Sequence, residues 1–135
     1  MSKKKILFVC AGNTCRSPMA QAIALKLLGD TTTIVQSAGI KTVSGMKATR
    51  EALQVMQEKG SDLSNHRSQS TNEINVNDFD MIVAMTPSIA DQLLTKYHVS
   101  SNRLKVFDIE DPYGQGLDAY RRCAAEIEQK LNELF

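Results

Sequence analysis

Apolar residues come in two rhythms along this chain, and the rhythms alternate. Ile6-Leu7-Phe8-Val9 is a continuous apolar run, the composition of a parallel strand buried on both faces, and predicts a strand over 5–9. A spacing of three and four follows. Met19, Ile23, Leu27 and Leu28 predict the buried stripe of a helix over 17–28. Ser17 is the expected cap, Pro18 falls at the first helical position where no N–H donor is needed, and Gly29 is the expected stop. The alternation then repeats. A strand is expected over 32–36, ending at Ser37-Ala38-Gly39, and a helix over 47–59 with Ala48, Ala52, Val55 and Met56 on one side and Gly60 after it. Another strand is expected over 79–85. Thr86-Pro87 repeats the cap-then-proline signal for a helix reaching about Tyr97. A last strand, 104–107, precedes a helix over 117–134, in which Leu117, Tyr120, Ala124, Ile127 and Leu131 recur at helical spacing and Cys123 falls among them as core.

Strands separated by helices imply a parallel sheet with right-handed crossovers. The expected class is α/β: a three-layer sandwich around a four-stranded parallel sheet, doubly wound in the flavodoxin-like manner. No repeat, low-complexity segment or linker interrupts it, so residues 1–135 are expected to form a single domain. In such sheets ligands bind beyond the carboxyl ends of the strands, where the strand order reverses.

The segment at that position after the first strand is Cys10-Ala11-Gly12-Asn13-Thr14-Cys15-Arg16-Ser17. Backbone N–H groups of a short loop there can face inward as an anion nest. Arg16 can add a bidentate fork for a phosphate. Cys10 would lie at the floor, next to a cation and a helix start, surroundings that favour a thiolate. Gly12 and Asn13 are residue types that tolerate positive φ in a tight loop. Cysteine and arginine at this spacing are weak evidence alone. The strand before, the loop residues and the helix start after them argue against a merely structural thiol. No Gly-x-x-x-x-Gly-Lys-Ser/Thr run is present and no Gly-x-Gly-x-x-Gly follows the first strand, which removes the nucleotide and dinucleotide loops. Glu110-Asp111-Pro112-Tyr113-Gly114 follows the last strand and so reaches the same sheet edge. Alone, Asp111-Pro112 reads as a turn. Beside a nucleophilic Cys10 it places a carboxyl where a leaving group needs a proton.

Composition narrows the partners. The net charge is +1, so there is no bulk electrostatic case for nucleic acid or membrane, and Lys3-Lys4-Lys5 reads as a solvated terminus. The apolar run 6–10 is too short for a signal-peptide core, and no stretch approaches membrane-spanning length. Three cysteines, an odd number, do not suggest a secreted disulfide framework, so a cytoplasmic protein with reduced thiols is expected. His66 and the cysteines show no zinc-ligand spacing.

The run from Val9 to Ala20, with Asp111-Pro112-Tyr113 near the end, resembles the low-molecular-weight protein phosphatase family, and the resemblance extends to Ser37-Ala38-Gly39, to His66-Arg67-Ser68 and to overall length and element order. It implies that Cys10 is the nucleophile and becomes phosphorylated. It implies that Arg16 and the loop from Ala11 through Gly12, Asn13, Thr14 and Cys15 to Arg16 bind the phosphoryl oxygens. Ser17 would hydrogen-bond the thiolate, and Asp111 would act as general acid and then general base. Asn13 would be held in a strained conformation by Ser37 and His66. No cofactor or metal is implied, the partner is a phosphorylated protein, and a monomer or weak dimer is expected.

Within the family the resemblance divides by substrate. Thr14 stands where tyrosine phosphatases usually carry Ile or Leu and where bacterial protein-arginine phosphatases carry Thr. Residues 40–45 contain no aromatic wall for a phenyl ring, whereas Tyr113 is typical of tyrosine-type members and could stack on a phenol or a guanidinium. Phosphoarginine is the favoured expectation, with phosphotyrosine as the alternative. Two further readings are an arsenate reductase, whose thioredoxin-coupled form needs relay cysteines absent between Cys15 and Cys123 and whose glutathione-dependent form would need fewer, and a non-catalytic phosphate-binding module, which would be expected to lose Cys10, Arg16 or Asp111. Cys15 could pair reversibly with Cys10 in a protective disulfide.

Overall fold

A computed structural model describes residues 4–29 and 32–135; Lys3 of the basic run lies outside the described residues. Four strands, β1 (Lys5–Cys10), β2 (Ile34–Gly39), β3 (Met81–Ala84) and β4 (Leu104–Val106), form one parallel sheet in the order β2-β1-β3-β4. β1 is central, paired with β2 from Lys5↔Ile34 to Cys10↔Gly39 and with β3 from Ile6↔Met81 to Val9↔Ala84. Its continuous apolar run follows from that place: Ile6 through Cys10 are all buried. β4 is an edge strand, and Lys105 and Val106 face solvent.

The helices are α1 (Arg16–Leu28), α2 (Arg50–Glu58), α3 (Pro87–Lys96) and α4 (Leu117–Leu134), with short 3₁₀ turns at Thr71–Glu73, Val76–Asp78 and Ser101–Arg103. The β1–α1–β2 and β3–α3–β4 crossovers run in opposite directions across the sheet, so right-handed connections put α1 and α3 on opposite faces. α4 packs on α1 and α2, and α3 on β3 and β4. Tyr120, Ala124, Ile127 and Leu131 of α4 are fully buried, and Cys123 is in the core, as its spacing predicts. Leu117 is only half-buried. On the β4 side of the sheet Phe107 packs on Phe8, ring centroids 6.5 Å apart.

The structure corrects several boundaries. α1 starts at Arg16, one residue earlier than predicted, with Cys15 at the cap position and no side-chain cap bond; Ser17 and Pro18 are its second and third residues. Pro18 is still free of penalty there, because the first N–H groups of a helix have no internal partner. Leu27 is exposed and Leu28 half-buried; Ala20 and Ala24 complete the buried face with Met19 and Ile23, small residues allowing α1 to lie close to its neighbours. Thr49 caps α2, accepting from the N–H of Ala52, so that helix begins later than 47 and Ala48 is buried ahead of it. β2 is shifted towards Gly39. Gly29 (φ 63°) ends α1 and Thr86 caps α3 ahead of Pro87, both as read from the sequence.

The reversal of strand order falls between β1 and β3. The loop after Cys10 therefore opens at the crevice where such sheets bind ligands.

Candidate active site

β1 delivers Cys10 to the sheet edge, buried, and α1 begins six residues later. Between them the chain turns through Asn13, which is fully buried at φ 58°. Gly12 has no positive φ, so Asn13 alone of the expected pair takes the left-handed conformation. Every polar group of Asn13 is occupied. Its N–H donates to Cys10 Sγ (3.1 Å), Nδ2 donates to Ser17 Oγ (2.8 Å) and Ser37 Oγ (3.0 Å), and Oδ1 accepts from the Gln69 N–H (2.9 Å). Its carbonyl meets His66 Nε2 at 2.7 Å. A carbonyl only accepts, so Nε2 carries the hydrogen. Burial, joined by the charge of Arg67, lowers the His66 pKa against the opposing bond to Asn13.

Ser17 Oγ lies 2.8 Å from Cys10 Sγ. Because Oγ already accepts from Asn13, its proton is free to point at the sulfur. Two donors, the Ser17 hydroxyl and the Asn13 N–H, thus converge on Sγ, a pattern complementary to negative sulfur. The hydroxyl is committed here, which is why Ser17 caps nothing.

Two glutamines complete the support and are not legible in the sequence. Gln21 accepts from Ser37 Oγ (2.7 Å) and ties Nε2 to the Val35 carbonyl; Gln69 donates Nε2 to the Ser37 carbonyl (2.9 Å). Gly39 follows at the end of β2. A Cβ there would meet Thr42 Cγ2 at 2.7 Å, the Ala11 carbonyl oxygen at 2.8 Å and Asn13 Cβ at 3.0 Å. Only glycine permits this approach, and it lets the Ile40 and Lys41 N–H groups bond the carbonyls of Cys10 and Ala11.

The far end of the loop is fixed separately. Thr49 donates its N–H to the Thr14 carbonyl (3.0 Å), and Cys15 Sγ lies 3.1 Å from the Tyr120 hydroxyl of α4. Burial raises the pKa of both Cys15 and Tyr120. Cys10, Cys15 and Cys123 are all free thiols, and burial pushes Cys123 up to about 12.

Arg16 is buried and donates Nη1 to the Ile109 carbonyl (3.0 Å); its Nη2 lies 3.7 Å from Asp111 Oδ2. Most of the guanidinium fork keeps donors to spare. The sheet ladder continues past β4, with the Phe107 N–H bonded to Ala84 O and the Ile109 N–H to Met85 O, and so carries Asp111 to the crevice. Asp111 Oδ1 accepts from the Tyr113 N–H, and Gln115 bonds the Asp111 carbonyl, so the turn is closed while the carboxylate is half exposed. A cavity of about 700 Å³ opens beside this assembly, lined by Gly12, Thr14, Cys15, Asp111 and Tyr113 and walled by Ile40 to Val43 with Met46. Tyr113 is its one aromatic lining residue and is largely exposed. Among the described residues, no helix is long and apolar enough to cross a membrane.

Residues 5–135 match the family model described as low molecular weight phosphotyrosine protein phosphatase. The chain belongs to this phosphatase family. A probable low molecular weight protein-tyrosine-phosphatase EpsP of Ralstonia solanacearum is 36% identical, over 96% of this chain and 92% of its own. A protein-arginine-phosphatase of Geobacillus stearothermophilus is 34% identical, over 96% and 93%. Among solved structures, a low molecular weight protein tyrosine phosphatase from T. tengcongensis superposes with a TM-score of 0.89 at 34% identity, covering 98% of this chain and 97% of that one. The α/β fold with a four-stranded parallel sheet is therefore that of the low-molecular-weight phosphatases. In this phosphatase, residues far apart in sequence (Cys10, Asn13, Arg16, Ser17, Ser37, His66 and Asp111) meet at one sheet edge.

Proposed function

We propose that this phosphatase hydrolyses phosphoarginine in proteins through a phosphocysteine on Cys10. The observation that carries the mechanism is the convergence of the Ser17 hydroxyl and the Asn13 N–H on Cys10 Sγ, beside an Arg16 fork held by the Ile109 carbonyl within 3.7 Å of Asp111. In the first step Cys10 Sγ attacks phosphorus, the P–S bond forms, and the bond to the leaving nitrogen or oxygen breaks. Asp111 gives that atom its proton. In the second step water attacks the phosphocysteine, Asp111 takes the proton, and the P–S bond breaks to release phosphate and the thiolate. Charge on the equatorial oxygens is met by Arg16 and the N–H groups of the loop, which are already fixed in place and need no reorganisation.

The substrate reading rests on the cavity. Thr14 lines it with a short branched hydroxyl, and its wall from Ile40 to Met46 is aliphatic and polar, with no second aromatic face opposite Tyr113. That geometry supports a narrow guanidino group over a stacked phenyl ring. Exposed Val43, Met46 and Tyr113 on the same cavity form an apolar rim of the kind a protein segment covers.

The test compares phosphoarginine and phosphotyrosine peptides. Thr14→Ile is expected to move the ratio of kcat/KM values about tenfold towards phosphotyrosine, roughly the effect of one or two methylenes in a specificity pocket. Cys10→Ser should leave no turnover of p-nitrophenyl phosphate, and acid-quenched wild type should carry phosphate on the Cys10 peptide. An unchanged ratio sinks the substrate reading, and turnover by Cys10→Ser sinks the mechanism.

A further inference from the structure

The phosphate loop has two ends, and they are held by different means. The Cys10 end continues a central strand and is locked by Asn13. At the Arg16 end, Cys15 occupies the cap position of α1 yet makes no side-chain cap bond. Its sulfur turns into the core instead, 3.1 Å from the hydroxyl of Tyr120 and 3.8 Å from Thr49 Oγ1. Thr49 bonds the Thr14 carbonyl through its own N–H. Tyr120 is fully buried in α4, more than a hundred residues along the chain. Its ring alone would serve packing; its hydroxyl is placed where a polar atom is costly unless it is bonded. Burial disfavours ionisation of both groups, so the bond joins two neutral partners.

We propose that the Tyr120 hydroxyl is a positioning element of the active site: through Cys15, with Thr49 bracing the same turn, it fixes the Thr14–Cys15–Arg16 arc so that the loop N–H groups and the Arg16 fork match the transition state. Tyr120 does not touch the substrate and acts through the backbone it holds. The proposal rests on the reading of Cys10 as nucleophile. Because the arc is matched to the trigonal arrangement of the transferring group and not to the ground state, loosening it lowers kcat more than it raises KM.

Tyr120→Phe keeps the ring and removes the bond. On p-nitrophenyl phosphate, kcat is expected to fall about tenfold, a fraction of the loss a 1 Å misplacement can cause, with KM changed less than about twofold. Inhibition by orthovanadate, which takes up the transition-state geometry, should weaken in step with kcat/KM, while inhibition by inorganic phosphate stays near wild type. Cys15→Ala should reproduce this pattern, and Tyr120→Phe combined with it should lose little more than either alone, since the 3.1 Å Tyr120–Cys15 bond is common to both and the contacts of Cys15 with Thr14 and Thr49 are longer, at 3.8 Å. Cys15→Ser, which keeps a partner for the phenol, should recover most of the rate. Wild-type kcat and vanadate affinity in Tyr120→Phe, a pure KM effect, or losses that multiply in the double variant would each overturn the proposal. If Tyr120→Phe does not fold, Cys15→Ala against Cys15→Ser decides by the same readouts. Cys10→Ser in the same assay separates the two readings: turnover there removes the nucleophile, whatever Tyr120 does.

Discussion

Asn13 concentrates more of the site in one residue than Cys10 does. It adopts φ 58°, where an L-residue other than glycine is disfavoured by about 1–2 kcal/mol, and offsets this with five hydrogen bonds. Two of the five come from the backbone and survive any substitution that keeps the turn; three belong to the amide. The two parts can be separated. Asn13→Ala loses the amide and keeps the steric penalty, leaving the Gln69 N–H without its acceptor and the Ser17 and Ser37 oxygens without the amide donor, so a destabilisation of about 3–5 kcal/mol is expected. Asn13→Gly loses the same bonds without the penalty and should be about 1 kcal/mol less destabilised. Urea unfolding of the two variants measures the difference. Equal midpoints would mean that the left-handed conformation carries no strain.

At the scale of elements, the positions that pack against the sheet were legible from local pattern, whereas Ser17, Ser37 and His66 entered as supports of the loop only through the family resemblance. The apolar run of β1 and the cap-then-proline start of α3 are local signals, and local chemistry decides them. Ser17 reads as a cap for the same reason, because serine before a proline and an apolar stripe is what a cap looks like. The structure spends its hydroxyl on Cys10 and Asn13, contacts that no local pattern encodes. Leu27 fits the spacing of the stripe yet is exposed in the last turn of α1, while Ala20 and Ala24 are fully buried. Gln21, Gln69 and Tyr120 carry no sequence signal, since their partners are distant in sequence and each alone has an ordinary place on a helix or loop. The end of β2 shows the coupling between element and site most sharply. Gly39→Ala leaves φ allowed but drives a Cβ to 2.8 Å from the Ala11 carbonyl, and that oxygen moves only if the Cys10–Arg16 loop moves. Overpacking of this kind costs about 1–3 kcal/mol. The expected signature is a kcat/KM on p-nitrophenyl phosphate reduced about tenfold or more while the fold survives, because displacement of the loop by even a fraction of an ångström misaligns its donors. Unfolding curves beside steady-state rates test this. Full activity in Gly39→Ala would show that the Ser37-Ala38-Gly39 end of β2 does not set the loop.

For the whole molecule, the same network makes global stability depend on pH. His66 bridges the 61–70 segment to the carbonyl of Asn13, and its pKa in the folded protein is lowered from the ordinary 6.5, first by burial and then by Arg67. Above that ordinary value the ring is neutral both folded and unfolded, and its contribution is fully present. As the pH falls below it, the unfolded chain takes up a proton that the folded protein resists, so stability declines until the folded-state value is passed. The carboxylates with lowered pKa, Glu58 through Arg121 and Asp62 through Ser64, add their own acid loss, but theirs begins lower, below the carboxylate range of about 4. The two windows therefore separate. Urea midpoints should be flat from about pH 8 to 7 and decline once the pH drops below the ordinary histidine value of about 6.5. His66→Gln keeps a side-chain donor for the Asn13 carbonyl and has nothing to titrate, so it should be flat across both intervals and fall only with the carboxylates. The rate should follow separately, because protonation adds a hydrogen at Nδ1 and leaves the Nε2–H bond to Asn13 in place. An acid-side slope that persists unchanged in His66→Gln would move the pH sensitivity out of the loop network and into the surface carboxylates.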